Sequence, residues 1–386
     1  MRDITIREFR VPQLHTIVFG KGSIERLGEK VSELGGTRVL IVTVPDLVYR
    51  TDLVDRVSMA LGGKCAGVYG KVEQHSPREC VVEGARMARE IGADAIVSLG
   101  GGSVTDTSKG INILLTEEIE PDTFLAGSED MCLKVEHEKV PHLAVTTTLS
   151  AAEFSDRVGI MNRATKQKDS VVDGRLVPKV VIMDPEMTVF TPPDLWASGC
   201  LKCLSDCFEQ FCSPRHHPFV DALALNAIRI VYRYLIPSIA EPPDLEARGT
   251  LQHVPLMGHY GARSVGLGLG AALRHQIGPM HDVAHGVISA IVVSHCLNFN
   301  RPLVDERLTL VAHALDLPSP DPDSVLQEID RLIRETGLPR RLRDVGIPKE
   351  ACKSIAEAAM GDFALEDNPK EIKSASEIVV VLEEAW

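Results

Sequence analysis

The feature that most constrains the fold is a regular alternation of strand and helix patterns up to about Pro185. Continuous apolar runs such as RVLIVT at 38–43 and AIVSL at 95–99 are typical of strands that are buried on both faces. Further strands are predicted at 15–20, 65–69, 142–146 and 180–183, and helices at about 23–34, 53–61, 77–92 and 104–115. Because strands that alternate with helices pair in parallel, the pattern predicts a parallel, doubly wound α/β sheet.

After about Pro185 the pattern changes to long helical stretches. Apolar residues recur at helical spacing over 219–235 and 325–338, and no strand is recognisable. We therefore expect two domains, an α/β domain over 1–188 and an all-helical domain over 189–386.

Four of the nine cysteines fall within one predicted helix of the second half. A zinc site built on one Cys-x-x-Cys pair needs a partner pair, and the sequence has none. Spacings of three, four and five residues instead favour small, reduced thiols buried along one helix. These residues are Cys200, Cys203, Cys207 and Cys212.

The bulk properties limit the partners and the location. The formal net charge of -13 argues against a nucleic acid, because binding a phosphate backbone needs clustered Lys and Arg. No apolar run approaches the ~20 residues that span a bilayer. The N-terminal segment MRDITIREFR carries charges where a signal peptide needs an apolar stretch. We therefore expect a cytoplasmic protein with neither a nucleic-acid nor a membrane partner.

The sharpest local motif is GGGSVTDTSK at 100–109, which lies between a predicted strand and a predicted helix. Glycines there let backbone N–H groups approach a diphosphate closely, and the N-terminus of the following helix favours negative charge. The motif matches neither the Rossmann G-x-G-x-x-G pattern nor the P-loop. Its place at the carboxyl end of a strand favours a ligand-binding loop over a structural turn.

This motif resembles the GGGSxxDxxK motif of the iron-containing alcohol dehydrogenase family. The resemblance continues through TTLSAAE, DPE, GLGL and HG to the closing EAW, so it covers nearly the whole chain in order. The TTLSAAE segment is most similar to the maleylacetate reductase branch. The resemblance implies a Rossmann-like N-terminal domain, a helical C-terminal domain and an active site in the cleft between them.

The same resemblance implies which residues bind a nicotinamide cofactor. Glycines and a serine of the motif would hold the diphosphate, while later residues flank the nucleotide and the nicotinamide ribose. Lys166 competes with Lys168 for one of these roles. The implied set is Gly100, Gly101, Gly102, Ser103, Asp106, Thr147, Thr148 and Lys168.

The residues after the second predicted strand bear on the choice between NAD and NADP. Many relatives carry an Asp there, which binds the adenosine ribose and repels a 2′-phosphate. Val44 and Pro45 take that place here, so NADP is accepted and is favoured over NAD. Arg50 is either a partner for the 2′-phosphate or a solvated helix charge.

The metal-binding positions that the family likeness implies are mostly changed. Iron-containing relatives use an Asp and a His four apart on one helix and two further His on later helices. Lys202, Asp206, Ala271 and His285 stand at these places. Because an ammonium group has no lone pair to give and alanine has no donor atom, we expect no bound metal. A second ligand set stays open, formed by Asp206, His275, His281 and His285.

Lys202 and Asp206 are four residues apart and can form an ion pair on a helix. Either Lys202 replaces the metal as the group that polarises a carbonyl, with Asp206 positioning it, or the pair remains in a protein that has lost redox catalysis.

His275 and His285 are expected to donate a proton or to bind substrate, since imidazole exchanges protons near neutral pH. Arg274, like Arg157, is either a partner for a substrate carboxylate or an ordinary charge.

The leading hypothesis is a metal-independent, NAD(P)H-dependent oxidoreductase that reduces a carbonyl or an activated double bond of a small oxygenated substrate. One alternative is a lyase, cyclase or isomerase on the same scaffold. Others are a metal-dependent alcohol dehydrogenase with a rearranged site and a non-catalytic nucleotide-binding protein. A homodimer is the expected assembly.

Overall fold

A computed structural model describes residues 16–117, 119–120, 124, 135–164 and 167–386. The chain divides into two compact units, with the boundary between Thr191 and Pro192. Within the described residues, every helix is either too short or too polar to cross a membrane.

The first unit is built on a six-stranded sheet in which every described pairing is parallel. The strands of this sheet are β1 (Thr16–Phe19), β2 (Val39–Val42), β3 (Cys65–Tyr69), β4 (Ala95–Gly100), β5 (His142–Thr146) and β8 (Val180–Met183). Their order is β1-β8-β5-β4-β2-β3. The predicted parallel α/β sheet is therefore confirmed.

Apolar side chains of the central strands are buried on both faces of the sheet. In β4, Ile96 belongs to one hydrophobic cluster, whereas Ala95 and Val97 belong to another. Alternate residues of a strand point to opposite faces, so helices must cover both. These helices are α1 (Leu27–Glu33), α2 (Pro45–Tyr49), α3 (Leu53–Leu61), α4 (Arg78–Glu90) and α5 (Gly102–Thr116).

A two-stranded antiparallel hairpin, β6 (Arg157–Asn162) and β7 (Gln167–Val172), was not predicted from the sequence. Its second strand, QKDSVV, is mostly polar and lacks the apolar run that marks the buried strands. The hairpin contacts the start of α4, where Pro77 forms an isolated parallel bridge with Met161.

The second unit is helical, as the sequence predicts, and its described residues form no strand. Its helices are α6 (Pro193–Cys212), α7 (Pro218–Ser238), α8 (Leu245–Leu251), α9 (Val254–Val265), α10 (Leu269–His281), α11 (His285–Phe299), α12 (Asp305–Ala314), α13 (Pro322–Thr336), α14 (Ala351–Ala359) and α15 (Ala375–Ala385). A large hydrophobic cluster joins α10, α11, α14 and α15. Helix α6 packs against α7, α9 and α11.

The cysteine-rich segment lies on α6, and its thiols are buried and outside any disulfide. Burial raises the pKa of Cys200 and Cys207 well above the ordinary thiol value, which makes both poor nucleophiles and metal ligands. The prediction of small, buried, reduced thiols along one helix is confirmed.

Candidate active site

The glycine loop connects the end of β4 to the start of α5. Gly100 has a φ of 153°, which L side chains rarely adopt, and a Cβ there would lie 2.6 Å from Val104 Cγ2. A Cβ on Gly101 would lie 2.6 Å from Thr148 Oγ1. Because the first turn of a helix leaves its N–H groups without intrahelical acceptors, the loop presents donors and a positive dipole end to an anion.

Ser103 is fixed by the segment that precedes α4. Its Oγ accepts a hydrogen bond from the N–H of His75 at 3.0 Å, and Ser76 Oγ donates to the Ser103 carbonyl at 2.9 Å. His75 and Ser76 both have positive φ values, 66° and 55°. The sequence analysis missed this pair of residues, which only long-range contacts bring to the loop.

Thr147 and Thr148 lie beside the glycine loop because β5 pairs with β4. The Thr147 N–H donates to the Gly100 carbonyl at 3.2 Å, and Thr191 Oγ1 donates to the Thr147 carbonyl at 2.7 Å. Thr148 lies against Gly101. The structure therefore brings the threonines and the glycines together at the carboxyl edge of the sheet, where α/β proteins bind ligands.

Asp106 and Lys109 of the motif connect α5 to the hairpin. Asp106 Oδ2 accepts a hydrogen bond from the N–H of Gly159 at 3.4 Å. Burial raises the pKa of Asp106, although the positive charges of Lys109 and Lys168 act in the opposite direction. Lys109 is buried, and its ammonium donates to three carbonyls, those of Ala152, Ser155 and Arg157, at 2.8, 2.6 and 2.9 Å. The lysine thus holds the segment that leads into β6, a role that the sequence analysis did not assign.

Lys168 lies on β7, and a Cβ on Gly159 would approach its Cε to 3.0 Å. Its competitor for a nucleotide-binding role, Lys166, lies outside the described residues. Because the side chain of Lys168 passes over Gly159, it crosses the hairpin towards Asp106. Its charge opposes the rise in the pKa of the Asp106 carboxyl.

Val44 and Pro45 follow β2 at the same edge of the sheet, where Val44 precedes α2 and Pro45 is its first residue. Arg50 forms an exposed ion pair with Asp46 at 3.3 Å, one helical turn away. Such exposed pairs contribute little, about 0.3–0.5 kcal/mol. In this structure Arg50 is a solvated helix charge.

In the second unit, α6 and α10 bring two cations onto one buried carboxylate. Lys202 Nζ lies 2.7 Å from Asp206 Oδ2, and an Arg274 guanidinium nitrogen lies 2.6 Å from Asp206 Oδ1. Arg274 also donates to Ser289 Oγ at 3.1 Å. The guanidinium is buried and engaged in these contacts, so it does not serve as an exposed charge.

The charges within this cluster stabilise one another. Burial is the largest single effect on Asp206 and raises its pKa. Arg274 and Lys202 together outweigh burial and lower the pKa to about 2. Burial is the largest single effect on Lys202 and lowers its pKa, but Asp206 and Cys203 together outweigh it, so the pKa is raised above the ordinary lysine value. Lys202 is therefore a protonated ammonium, and its side chain keeps 25% of its surface exposed. It uses one donor on Asp206 and retains donors for a ligand.

The remaining family metal positions do not complete a ligand set. Ala271 packs in a small apolar cluster with Ala272 and Ala364. Within the part of the chain that the structure describes, no three His, Cys, Asp or Glu side chains come close enough to hold a metal ion. The alternative set with His281 is therefore not assembled. A cation at Lys202 and an alanine at Ala271, where relatives have ligands, do not fit a divalent ion.

Glu209 lies one turn beyond Asp206 on α6. Its Oε1 accepts a hydrogen bond from the Ala271 N–H at 3.2 Å, whereas its Oε2 is buried with no hydrogen-bond partner among the described residues. Burial is the largest effect on this carboxyl and raises its pKa, which favours the neutral form.

His275 lies next to Arg274 on α10, and its ring is held on one edge and one face. Its Nδ1 lies 3.0 Å from Asp362 Oδ2, and Phe363 stacks on the ring with a centroid distance of 5.7 Å. The ring of His285 is 6.4 Å away. Asp362 and Phe363 are functional candidates that the sequence analysis missed.

His285 begins α11, whose next residue is Gly286. A Cβ on Gly286 would lie 2.1 Å from the Ser198 carbonyl oxygen, so α11 approaches the backbone of α6 closely. Lys202 is one turn beyond Ser198 on α6. The close approach of α11 to α6 places the start of α11, with His285, next to the turn of α6 that precedes Lys202.

The two candidate partners for a substrate carboxylate, Arg274 and Arg157, lie in different environments. The sequence allows Arg274 to be a partner for a substrate carboxylate or an exposed charge, and the second interpretation is wrong because the side chain is buried against Asp206 and Ser289. Arg157 is exposed at the start of β6, which matches an ordinary surface charge.

Two family profiles match the chain in sequence order. The iron-containing alcohol dehydrogenase profile matches residues 15–185, and the C-terminal profile of the same family matches residues 196–386. The chain belongs to the iron-containing alcohol dehydrogenase family. It is accordingly an oxidoreductase.

Individual relatives extend over nearly the whole chain. The NAD-dependent methanol dehydrogenase of Bacillus methanolicus is 26% identical over 95% of this chain and 97% of its own. A crystal structure of 1,3-propanediol oxidoreductase superposes with a TM-score of 0.87 at 27% identity, over 99% of this chain and 100% of its own. A maleylacetate reductase from Rhizobium sp. shares the fold, with a TM-score of 0.81 at 23% identity over 99% of both chains.

Proposed function

We propose that this family member reduces the carbonyl group of a small oxygenated substrate with NAD(P)H and without a catalytic metal, with Lys202 as the electrophilic group. The observation that carries the proposal is the Lys202–Asp206–Arg274 cluster at the family's metal positions, with distances of 2.7 and 2.6 Å. A buried, positioned cation stabilises the negative charge that develops on a carbonyl oxygen during reduction.

The net charge of the cluster supports this substitution. A divalent ion bound by one carboxylate and three neutral imidazoles carries a net charge of +1. Lys202 and Arg274, each +1, with Asp206 at -1, also sum to +1. The chain has thus replaced the donors of a metal site but kept its electrostatic effect on a bound oxygen atom.

The roles within the cluster follow from its contacts. Lys202 donates to the substrate oxygen through hydrogens that Asp206 does not use. Asp206 fixes the ammonium group, and Arg274 keeps Asp206 ionised while its own donors remain on Asp206 and Ser289. His275 gives a proton to that oxygen, and His285 binds the substrate beside it. Carbon–oxygen reduction then balances as one hydride to carbon and one proton to oxygen.

The glycine loop supports a nicotinamide cofactor. A bound reduced nicotinamide supplies the hydride. Backbone N–H groups of Gly101, Gly102 and Ser103 at the start of α5 suit its diphosphate. A relative is named an NAD-dependent dehydrogenase, and we extend the cofactor class to this chain. NADP remains our preferred form because Val44 offers no carboxylate to repel a 2′-phosphate.

The test is a substrate survey on the purified protein, with elemental analysis of the same sample. We expect absorbance of NADPH to fall with short aldehydes or ketones, and the rate to be unchanged after dialysis against a chelator. Addition of Fe²⁺ or Zn²⁺ should not raise the rate. A preparation that loses activity with the chelator and regains it with one of these ions would contradict the metal-independent mechanism.

A further inference from the structure

His275 is contacted by a segment that lies 87 residues further along the chain. Asp362 Oδ2 lies 3.0 Å from His275 Nδ1 and also accepts a hydrogen bond from Gln276 Nε2 at 3.0 Å. Its other oxygen accepts from the N–H of Ala364 at 3.0 Å. Three hydrogen bonds therefore fix this carboxylate, whose side chain is only 5% exposed.

The neighbouring residue restrains the imidazole ring in a second direction. The Phe363 ring lies 28° from parallel to the His275 ring at a centroid distance of 5.7 Å. One edge of the imidazole is thus held by Asp362 and one face by Phe363. The opposite edge of the ring carries Nε2, and 31% of the His275 side chain is exposed.

A carboxylate on one imidazole nitrogen determines what the other nitrogen can do. Asp362 faces three N–H groups, those of His275, Gln276 and the Ala364 backbone, which suits an ionised carboxylate. An ionised carboxylate only accepts hydrogen bonds, so Nδ1 must carry a hydrogen. When the ring is protonated on both nitrogens, the second proton is on Nε2. Transfer of that proton leaves a neutral ring with its hydrogen on Nδ1, the form that donates to Asp362.

We propose that Asp362, assisted by Phe363, is a positioning residue that holds His275 with Nδ1–H towards the carboxylate and Nε2 towards the reacting oxygen. This inference rests on the proposed function in one respect only, the assignment of His275 as proton donor. Asp362 itself touches no reacting atom. It acts through His275, as the carboxylate partners of histidine ligands and bases do in other proteins.

The first experiment reads the tautomer and does not depend on catalysis. Nitrogen chemical shifts of isotope-labelled histidine are recorded for the wild-type protein, with the His275 signal assigned by its loss in His275→Gln. We expect the neutral Nδ1–H form in the wild-type protein and a mixture of tautomers in Asp362→Asn. The side-chain oxygen of asparagine, like that of aspartate, can accept the hydrogen bond from the Ala364 N–H, so the variant keeps this contact. A wild-type ring protonated on Nε2 alone would overturn the proposal.

The second experiment is a double-mutant cycle on kcat with NADPH and 3-hydroxypropanal as the probe substrate. We expect His275→Gln to lower kcat by about 100-fold or more and Asp362→Asn to lower it by about tenfold or more. The double variant should match His275→Gln, because a residue that acts only through His275 has no effect once the ring is gone. The KM for the aldehyde should change little.

The outcomes separate the two proposals. If wild type and His275→Gln have equal kcat, His275 is not the proton donor. The tautomer measurement then still tests whether Asp362 holds the His275 ring with its hydrogen on Nδ1. A large effect of His275→Gln with none of Asp362→Asn rejects the positioning role alone. Additive losses would show that Asp362 acts independently of His275 and would also reject it. Asp244→Asn, a change at the N-cap of α8, is the matched control and should leave kcat unchanged.

Discussion

Replacement of Lys202 by methionine is the most direct test of the electrophile assignment. Methionine has a similar length and no charge, so it removes the ammonium group with little change in volume. The fold should tolerate the change because Asp206 keeps its second partner, Arg274, at 2.6 Å. The carboxylate is therefore not left as an unpaired buried charge, the situation that costs about 3–5 kcal/mol.

The magnitude follows from the distance at which an ammonium binds an oxygen. At about 3 Å and an effective dielectric constant of about 20, two unit charges attract by roughly 5 kcal/mol. Part of this attraction is already present with the uncharged carbonyl, so the gain in the transition state is smaller. Loss of one donor to a developing oxyanion costs about 3–4 kcal/mol, or about 100- to 1,000-fold in kcat. We expect Lys202→Met to fall within that range.

The assay combines steady-state reduction of an aldehyde with two checks on the variant. The affinity for NADPH is measured by fluorescence, and the midpoint of thermal unfolding by calorimetry. Lys202→Arg should recover part of the rate, because the charge is kept while the geometry changes. Lys30→Met is the matched control, since Lys30 makes a comparable 2.8 Å ion pair with Glu33 on α1.

The reasoning is refuted by a specific result. If Lys202→Met binds NADPH with wild-type affinity, unfolds at the wild-type temperature and retains the wild-type kcat, the ammonium group does not stabilise the transition state. A loss that Lys30→Met reproduces would equally remove the basis for a specific role of Lys202.

Three further predictions concern the cluster, the loop and the cofactor. Asp206→Asn should destabilise the protein by about 3–5 kcal/mol in chemical unfolding, because it leaves Lys202 and Arg274 as buried like charges. Since folding lowers the pKa of Asp206 to about 2, wild-type stability should fall as the pH drops from about 4 towards 2, and the variant should lack this part of the loss. Lys109→Met should leave three carbonyls without their donor and weaken NADPH binding in calorimetric titration, while Lys30→Met should not. Val44→Asp should lower the affinity for NADPH at least about tenfold relative to NADH in fluorescence titration, and an unchanged ratio would exclude this position as the determinant.

Local sequence patterns were sufficient for the parallel sheet and for its glycine loop. Strands such as β4 and β5 are short apolar runs because both of their faces are buried, and that requirement leaves a clear signal in one chain. The hairpin of β6 and β7 left no such signal, since the polar QKDSVV strand is defined by its pairing partner. The preference for NADP and the homodimer stay predictions.

Through its family resemblance the sequence also marked Lys202, Asp206 and Ala271 as an unusual replacement of metal ligands, because residue type alone excludes an ammonium or a methyl group as a ligand. It did not indicate that Asp206 is shared with Arg274, 68 residues away, or that Asp362 holds His275 from 87 residues away. Charges and hydrogen bonds act through space, whereas spacing in a sequence reports only contacts within one helix or strand. The packing of α6, α10 and the segment after α14 therefore decided which groups are charged, which are fixed and which remain able to act on a substrate.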